Sequence, residues 1–413
     1  MMPALEFRRS PLRYLTLRST TATRLGGRYS GTLASNMAPL RLTSRAEPKP
    51  PGAGWLRLRP LLSGICGSDI GMLTGRSSPY LTPVVSMPFV PGHEVVAEVL
   101  DGAPGFPKGC RVVVDPVLSC TARGVAPCRW CAAGRHSRCD RVTTGRISAG
   151  LQTGFCTDTG GGWSRAMVSH HSQLHRVPDD LPDERCVLVE PLACAIHSVR
   201  RIVVDPGASV LIVGAGTVGL LTLLALREFT AAGPIYVIAK HASQRERARA
   251  IGATETLEPQ RAARAVRRVT GGSLEKPVLG PEYLLGGTDV VFECTGGTGG
   301  LDMALRLVRA AGTVVLSGMP TGSVDLTPVW FRELHLVGSY ASDAGGSAAD
   351  ADDPAPDHRA EDFAAAIALA GEAPLGGYVD AVYPLTRWRE AIAHASAAGR
   401  LGAVKVAFDP SRD

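Results

Sequence analysis

The stretch Ala208-Ser-Val-Leu-Ile-Val-Gly-Ala-Gly-Thr-Val-Gly219 decides the fold class of this 413-residue chain. Its apolar, largely β-branched first half predicts a buried strand, and its second half carries glycines in the spacing GxGxxG, followed by an apolar helical run. A second apolar stretch, Ile235 to Ile238, follows about 20 residues later. Such a strand, turn and helix are typical of the doubly wound α/β fold, in which the turn and the helix N-terminus bind a dinucleotide. The residues expected in that site are Gly214, Gly216, Thr217, Val218 and Gly219.

The end of the second stretch favours NADP(H) over NAD(H). Enzymes that prefer NAD place an acid there to bind the ribose hydroxyls, whereas this chain has Ala239, followed by Lys240 and, one helical turn on, Arg245. No carboxylate would repel a 2′-phosphate, and the two cations could bind one. The alternative is that Lys240 and Arg245 are solvated residues at the start of a helix.

Three segments upstream of the glycines offer metal-ligand side chains: Gly64-Ile-Cys-Gly-Ser-Asp69, Pro91-Gly-His-Glu94 and Val189-Glu-Pro-Leu192. A catalytic zinc site uses about three protein ligands from Cys, His and carboxylate, and it keeps one position for water or substrate. Cys66 offers a thiolate, His93 an imidazole, and Glu94 or Glu190 a carboxylate. One such residue alone is more often structural, but their combination indicates a catalytic zinc site.

These segments, in this order and followed by the dinucleotide fingerprint, resemble the zinc-containing medium-chain dehydrogenases/reductases of the alcohol dehydrogenase superfamily. The resemblance is strongest to their polyol, sorbitol and threonine dehydrogenase branch, and it runs from about Met37 to the end. It implies an α/β protein with a GroES-like β-barrel catalytic domain and a doubly wound Rossmann domain. It also implies that Cys66, His93 and Glu94 bind the catalytic zinc, with Glu190 as a variable fourth ligand.

The resemblance also implies roles for residues beside these ligands. Ser68 matches the hydroxyl that passes the substrate proton outward, and Asp69 matches the carboxylate that orients the zinc histidine. Thr295 and Ser317 are implied to flank the nicotinamide. Many relatives have a histidine where Gly71 stands, so the outer end of the proton relay must be another group or water.

A second metal site is predicted in a cysteine-rich lobe over residues 116–140. Three of its cysteines have the spacing C-x2-C-x7-C: Cys128, Cys131 and Cys139. Such density is a strong metal signal in an intracellular protein. The family pattern has one more cysteine, where this chain has Val125, and the nearest candidate is Cys120. We expect Cys120 to complete a structural zinc site; the alternatives are a three-cysteine remnant without zinc, or His136 as the ligand.

Most of the formal net charge of +6 lies in the first 36 residues, which hold six arginines and one acid, Glu6. The remaining chain is close to neutral, which argues against a nucleic-acid-binding face. We expect residues 1–36 to be a disordered or non-native extension, with the domain beginning at Met37; the alternative is an organelle transit peptide.

The domain organisation expected from these patterns is a split catalytic domain. Residues 37–194 form its main part, residues 195–339 form the Rossmann domain, and residues 340–413 return to the catalytic domain, with the active site in the cleft between them. No apolar run reaches the roughly 20 residues needed to span a bilayer, so a cytoplasmic location is expected, without membrane or nucleic-acid partners. Relatives imply a homodimer or homotetramer.

The expected activity is zinc-dependent hydride transfer between a nicotinamide cofactor and a secondary alcohol or polyol, or the matching ketone or aldehyde. A zinc-free quinone or enoyl reductase of the same fold is one alternative, but it would lack the Cys and His ligands. A non-catalytic dinucleotide-binding protein is the other. Three departures from the family pattern leave it open: Gly71, Cys110 and Arg165.

Overall fold

The computed structural model describes residues 1–22, 29–342 and 358–412, and for residue 22 and residues 358–361 it describes the backbone alone. The strands are β1 Met2–Phe7, β2 Leu40–Arg45, β3 Trp55–Gly64, β4 Val95–Val99, β5 Arg111–Val114, β6 Met167–His170, β7 Leu174–Arg176, β8 Val210–Val213, β9 Ile235–Ile238, β10 Glu255–Leu257, β11 Ser273–Glu275, β12 Tyr283–Leu285, β13 Thr288–Glu293, β14 Val308–Leu316, β15 His335–Gly338, β16 Val379–Tyr383 and β17 Lys405–Phe408.

The α-helices are α1 Pro11–Ala22, α2 Ser30–Met37, α3 Gly67–Leu73, α4 Arg129–Ala132, α5 Asp183–Cys186, α6 Val189–Arg200, α7 Thr217–Phe229, α8 Ala242–Ile251, α9 Ala262–Thr270, α10 Thr298–Leu307, α11 Thr327–Phe331, α12 His358–Glu372, α13 Trp388–Ser396 and α14 Ala398–Leu401. Short 3₁₀ helices lie at Pro79–Val84, His136–Arg138, His171–Gln173, Pro259–Arg261 and Leu385–Arg387. No helix among the described residues is long and apolar enough to cross a membrane.

The chain divides into two compact units. The first contains Met1–Glu190 and Asp352–Asp413, and the second contains Pro191–Ala341. The first division therefore falls between Glu190 and Pro191, four residues before the boundary expected at 194. The main part of the second unit ends at Ala341, where the expected return to the catalytic domain is at 340.

The second unit is built on a six-stranded parallel sheet in the order β10-β9-β8-β13-β14-β15. Counted along the chain within the sheet, this is the order 3-2-1-4-5-6 of doubly wound dinucleotide-binding domains. Every residue of β8 and β9 is buried, as expected for parallel strands that are covered on both faces. The doubly wound domain predicted from the glycine fingerprint is confirmed.

The first unit contains a seven-stranded sheet in the order β16-β17-β3-β4-β5-β7, with β6 paired to β3. All pairings are antiparallel except that of β16 with β17. Alternate residues of the central strands enter one core, for example Val95, Ala97 and Val99 of β4. This period of two is what a sheet with one face on the core requires.

The described N-terminal residues, 1–22 and 29–36, correct the expectation of a disordered extension over residues 1–36; residues 23–28 lie outside the described part of the chain. Strand β1 pairs along its whole length with β2, and Leu5 is fully buried. The Leu5 N–H donates to the Trp163 carbonyl at 3.0 Å, and the Phe7 N–H donates to the Phe89 carbonyl at 2.9 Å. Met37, expected to begin the domain, is instead the last residue of α2. Strand β1 is stabilised by partners that are distant in sequence. Its own six residues, which lie among arginines, were therefore too weak a pattern to predict a strand.

Candidate metal centres and dinucleotide site

Cys66, His93 and Glu94 are brought together at the end of β3 and the start of β4. Cys66 lies between β3 and α3, and the Gly64 N–H donates to the Glu94 carbonyl at 2.9 Å, so the two segments adjoin. One ligand atom from each of the three residues lies within 4.8 Å of the others. His93 and Glu94 are buried, and Cys66 is half-buried. Thiolate, imidazole and carboxylate are the donor types of catalytic zinc.

Asp69 lies between the Cys66 backbone and the His93 imidazole. Its Oδ2 accepts from the Cys66 N–H at 2.9 Å, and its Oδ1 lies 3.7 Å from His93 Nδ1. Burial raises the pKa of Asp69 to about 6, against the opposing effect of His93. Burial alone would lower the pKa of His93, but the charges of Asp69 and Cys66 raise it overall. With Nδ1 facing Asp69, Nε2 is the ring nitrogen left for a metal, as in other carboxylate–histidine–metal arrangements.

Lys405 is a member of this site that sequence reasoning missed. Its Nζ donates to both carboxylate oxygens of Glu94, at 2.7 and 2.6 Å, and both side chains are almost completely buried. A Cβ on Gly64 would lie 1.9 Å from Glu94 Oε2, so this glycine makes room for the pair. Lys405 lies 311 residues from Glu94 in the chain. The sequence feature that could have indicated a buried, paired lysine is the position of Lys405 inside the apolar run Val404 to Phe408.

Glu190 and Ser68 lie close to the group but outside it. Glu190 is buried in the first turn of α6 and is absent from the set of three ligand atoms within mutual reach. Its negative charge nevertheless contributes to raising the pKa of His93 and of Lys405. Ser68 is half-buried in the first turn of α3, one residue before Asp69.

The four cysteines expected in the second metal site lie together in the first unit. The Sγ atoms of Cys120, Cys128, Cys131 and Cys139 are within 4.8 Å of one another, and all four residues are buried. A hydrogen bond from Cys131 lowers the pKa of Cys139 to about 5, and the pKa of Cys131 is raised correspondingly. Four thiols this close together are better stabilised as thiolates that share one metal cation than as four separately protonated groups. The geometry therefore favours Cys120, and not His136, as the fourth member.

Arg123, which sequence reasoning also missed, organises the chain around Cys120. Its guanidinium is fully buried and donates to five backbone carbonyls. These carbonyls belong to Leu118, Thr144, Ile147, Ser148 and Gly150. The Val125 N–H donates to the Cys120 carbonyl at 3.1 Å, which closes the turn between them. The extra residues before Cys128 thus form a compact turn that returns Cys120 to the other three thiols.

The dinucleotide fingerprint has the expected geometry in the second unit. Gly216 is the N-cap of α7, and Thr217 and Val218 form its first turn. A Cβ on Gly219 would lie 1.9 Å from the Gly214 carbonyl oxygen, so the helix can pack on the turn only with glycine there. The glycine turn and the N-terminus of α7 therefore form the kind of site that binds a pyrophosphate.

Glu293 joins the two turns implied to flank the nicotinamide. Its carboxylate accepts hydrogen bonds from Thr295 N, Thr295 Oγ1 and Gly296 N. Its backbone carbonyl accepts from Ser317 N and Gly318 N, both at 3.0 Å. Burial raises the pKa of Glu293, although these donors oppose the effect. Thr295 and Ser317 thus lie at the carboxyl ends of neighbouring strands, β13 and β14.

The two cations expected to bind a 2′-phosphate differ in their environments. Lys240 is exposed at the end of β9. Arg245 Nη1 donates to the carbonyls of Ala239 and Lys240, at 3.0 and 3.3 Å, and its Nη2 lies 3.3 Å from a Glu258 oxygen. Arg245 is therefore already engaged with the protein, whereas Lys240 is accessible to a ligand.

Comparisons with known proteins agree with this arrangement. Residues 52–179 match the family model of the alcohol dehydrogenase GroES-like domain, and residues 217–352 match that of the zinc-binding dehydrogenase. The chain is 31% identical over 294 residues to a sorbitol dehydrogenase of Arabidopsis thaliana, covering 69% of this chain and 73% of the relative. It is 30% identical over 293 residues to an L-idonate 5-dehydrogenase of Vitis vinifera, with the same shares of the two chains covered.

A solved structure from Sinorhizobium meliloti 1021, classed as a zinc-binding dehydrogenase and bound to NADP, superposes with a TM-score of 0.69. It is 26% identical in sequence, and the superposition covers 99% of each chain. The chain therefore belongs to the zinc-dependent alcohol dehydrogenases, a family of nicotinamide-dependent oxidoreductases, in their sorbitol dehydrogenase-like branch, as its sequence motifs predict.

Proposed function

We propose that this protein oxidises a secondary alcohol of the polyol class to its ketone with a nicotinamide cofactor, and that it catalyses the reverse reduction. The observation that carries the proposal is the convergence of Cys66, His93 and Glu94, with buried Asp69 facing the imidazole. The relatives named for sorbitol and L-idonate support a polyhydroxylated substrate.

Cys66, His93 and Glu94 are the proposed zinc ligands, with Glu190 as the variable fourth. A carboxylate has about four lone-pair positions, so Glu94 can accept from Lys405 and still offer an oxygen to a metal. When bound, the zinc ion supplies Lewis acidity and the nicotinamide accepts the hydride. Ser68 takes the proton from the substrate hydroxyl and passes it towards solvent. Asp69 fixes the orientation of His93.

Cofactor reduction with a panel of secondary alcohols tests this proposal. Zinc-replete full-length protein should reduce NADP or NAD in the presence of hexitols, pentitols or vicinal diols, and a chelator should abolish the reaction. A protein that binds the dinucleotide but oxidises no member of the panel would favour the non-catalytic alternative. The retained Cys and His ligands argue against the zinc-free reductase.

We further propose a preference for NADP(H), with exposed Lys240 as the residue that binds the 2′-phosphate. Lys240→Ala should raise KM for NADP by about tenfold, the effect of losing one charge-assisted hydrogen bond, and leave KM for NAD nearly unchanged. Arg249→Ala, at the far end of α8, is the matched control. A wild-type kcat/KM that favours NAD by tenfold would overturn the preference.

The four-cysteine lobe is proposed to hold a second, structural zinc. The wild-type protein should contain two zinc ions per chain by elemental analysis, and Cys120→Ser should contain one and melt at a lower temperature. Cys186→Ser, which removes a buried thiol outside both metal sites, should retain two. One zinc per wild-type chain would disprove the four-thiolate site.

A homodimer or homotetramer in the cytoplasm is the proposed state. Trp330 and Phe331 are 81% and 59% exposed, and they precede the edge strand β15. An open sheet edge beside apolar side chains is a surface that a second copy can cover. Light scattering that shows only monomer would contradict this.

Reduced, metal-binding thiols fit a cytoplasmic location, which imaging of the tagged protein can test.

A further inference from the structure

Helices α1 and α2 lie outside the region matched by the family models, which begins at residue 52. They share one apolar core with the helix that carries Ser68 and Asp69. Leu17 of α1 and Ala34 of α2 are fully buried in the same cluster as Leu73 of α3 and Ile392 of α13. The N-terminal helices are therefore part of the packing around α3.

One face of α1 binds the backbone of the segment that follows α3, residues 74–78. The donors are Tyr14, Arg18 and Thr21, whose spacing i, i+4, i+7 places them on one side of the helix. Tyr14 Oη and Arg18 Nη1 both donate to the Ser77 carbonyl, the latter at 3.2 Å. Thr21 Oγ1 donates to the buried Thr74 carbonyl at 2.9 Å.

Gly75 shows how closely α1 approaches the same segment. A Cβ at this position would lie 2.7 Å from Arg18 N and 3.0 Å from the Tyr14 carbonyl oxygen. Its φ of +73° is also one that glycine adopts readily and other residues rarely adopt. The backbones of α1 and of segment 74–78 are therefore in direct contact, and any side chain at residue 75 would separate them.

Segment 74–78 in turn folds back on the face of α3 that carries Ser68. Gly71 lies three residues after Ser68, hence on the same side of the helix. A Cβ on Gly71 would have one described atom within 4 Å, Ser77 Oγ at 3.8 Å. Arg76 N and Ser77 N both donate to the Gly71 carbonyl, at 2.7 and 3.2 Å. The segment that α1 binds thus contacts α3 at Gly71, about one helical turn from the proposed proton-transfer serine.

We propose that α1 is a strap that fixes segment 74–78 beside Ser68 and thereby shapes the alcohol-binding side of the metal site. Tyr14, Arg18 and Thr21 are positioning residues that act through this segment and set which alcohols are accepted. The inference rests on the proposed function, because it assigns the alcohol to the metal site. It adds a specificity element that the matched family region does not contain.

The test compares two threonines of α1. Thr16 Oγ1 donates to a carbonyl of its own helix at 2.9 Å. Thr21 Oγ1 shares its one proton between a carbonyl of its own helix, at 2.8 Å, and the Thr74 carbonyl, so only Thr21 also reaches segment 74–78. Thr21→Val and Tyr14→Phe should increase hydrogen exchange in residues 67–78, and Thr16→Val should not. Thr21→Val and Tyr14→Phe should each also change the ratio of kcat/KM for a hexitol to kcat/KM for 2-propanol by about fivefold, the effect of one hydrogen bond. Thr16→Val should leave this ratio unchanged. Zinc content and the dinucleotide Kd should stay at wild-type values.

The outcomes separate the strap from the proposed function. Unchanged exchange in 67–78 for both Thr21→Val and Tyr14→Phe overturns the strap. Increased exchange with an unchanged hexitol to 2-propanol ratio overturns the positioning role and leaves only a structural contact. If the wild-type protein oxidises no alcohol, the proposed function fails, and the specificity role fails with it, while hydrogen exchange still decides whether α1 holds the segment. Should Tyr14→Phe or Thr21→Val misfold, Gly75→Ala probes the same contact from the other side.

Discussion

His93→Ala should lower kcat/KM for alcohol oxidation by about 10³-fold or more, because it removes a ligand of the ion that supplies several kcal/mol of transition-state stabilisation. Cys66→Ala should have the same effect. The dinucleotide Kd, measured by cofactor fluorescence, should change little, since the GxGxxG turn lies in the second unit. Elemental analysis should find zinc reduced from two ions per chain to one.

The matched control for the thiol is Cys110→Ser, a half-buried cysteine outside both metal-ligand groups. It should keep wild-type turnover and both zinc ions. Wild-type turnover in either His93→Ala or Cys66→Ala would mean that the zinc mechanism is wrong. Loss of activity with full zinc content would instead place the ion elsewhere and leave these residues with another role.

Lys405→Met should destabilise the first unit by about 3–5 kcal/mol, because it leaves the Glu94 carboxylate buried without its cation. Glu94 and Lys405 side chains are only 1% and 3% exposed, so water cannot replace the lost partner. Urea unfolding followed by tryptophan fluorescence measures this, since four of the five tryptophans lie in the first unit. The measurement belongs in metal-free protein, where no other cation can neutralise Glu94.

The double variant Lys405→Met/Glu94→Gln is the control for this prediction. Removing both charges should restore most of the lost stability, since the penalty comes from the unpaired charge and not from the missing side chain. A single variant as stable as the wild type would show that the Glu94 charge has another partner. A double variant as unstable as the single one would show that packing at Lys405 dominates.

Residues that are close in sequence to a motif could be predicted from the chain alone. The strand, glycine turn and helix around Gly214 to Gly219 are local, and so are the segments that present Cys66, His93 and Asp69. Each combines a turn with a side chain whose chemistry is specific. Cys120 could be predicted as a member of the cysteine group for the same reason, since it lies only eight residues before Cys128.

What could not be predicted depends on partners distant in sequence. Lys405 is paired with Glu94 only because β17 lies beside β3 in the sheet. The sequence suggests that the Arg245 guanidinium is free to bind the cofactor. In the structure it donates to the Ala239 carbonyl and forms an ion pair with Glu258. Strand β1 was missed because its stability comes from β2 and from the backbone of Phe89 and Trp163, not from its own six residues.

The burial of β1 has a consequence for any shortened form of this protein. A chain begun at Met37 would lose the partner of β2 and leave the fully buried places of Ala4 and Leu5 unfilled. The strand edge at Leu40–Arg45 would then carry unpaired N–H and C=O groups next to exposed apolar surface, the combination from which intermolecular β-pairing starts. Truncation there would make the fold prone to aggregation, although it removes only residues that look like a dispensable basic tail.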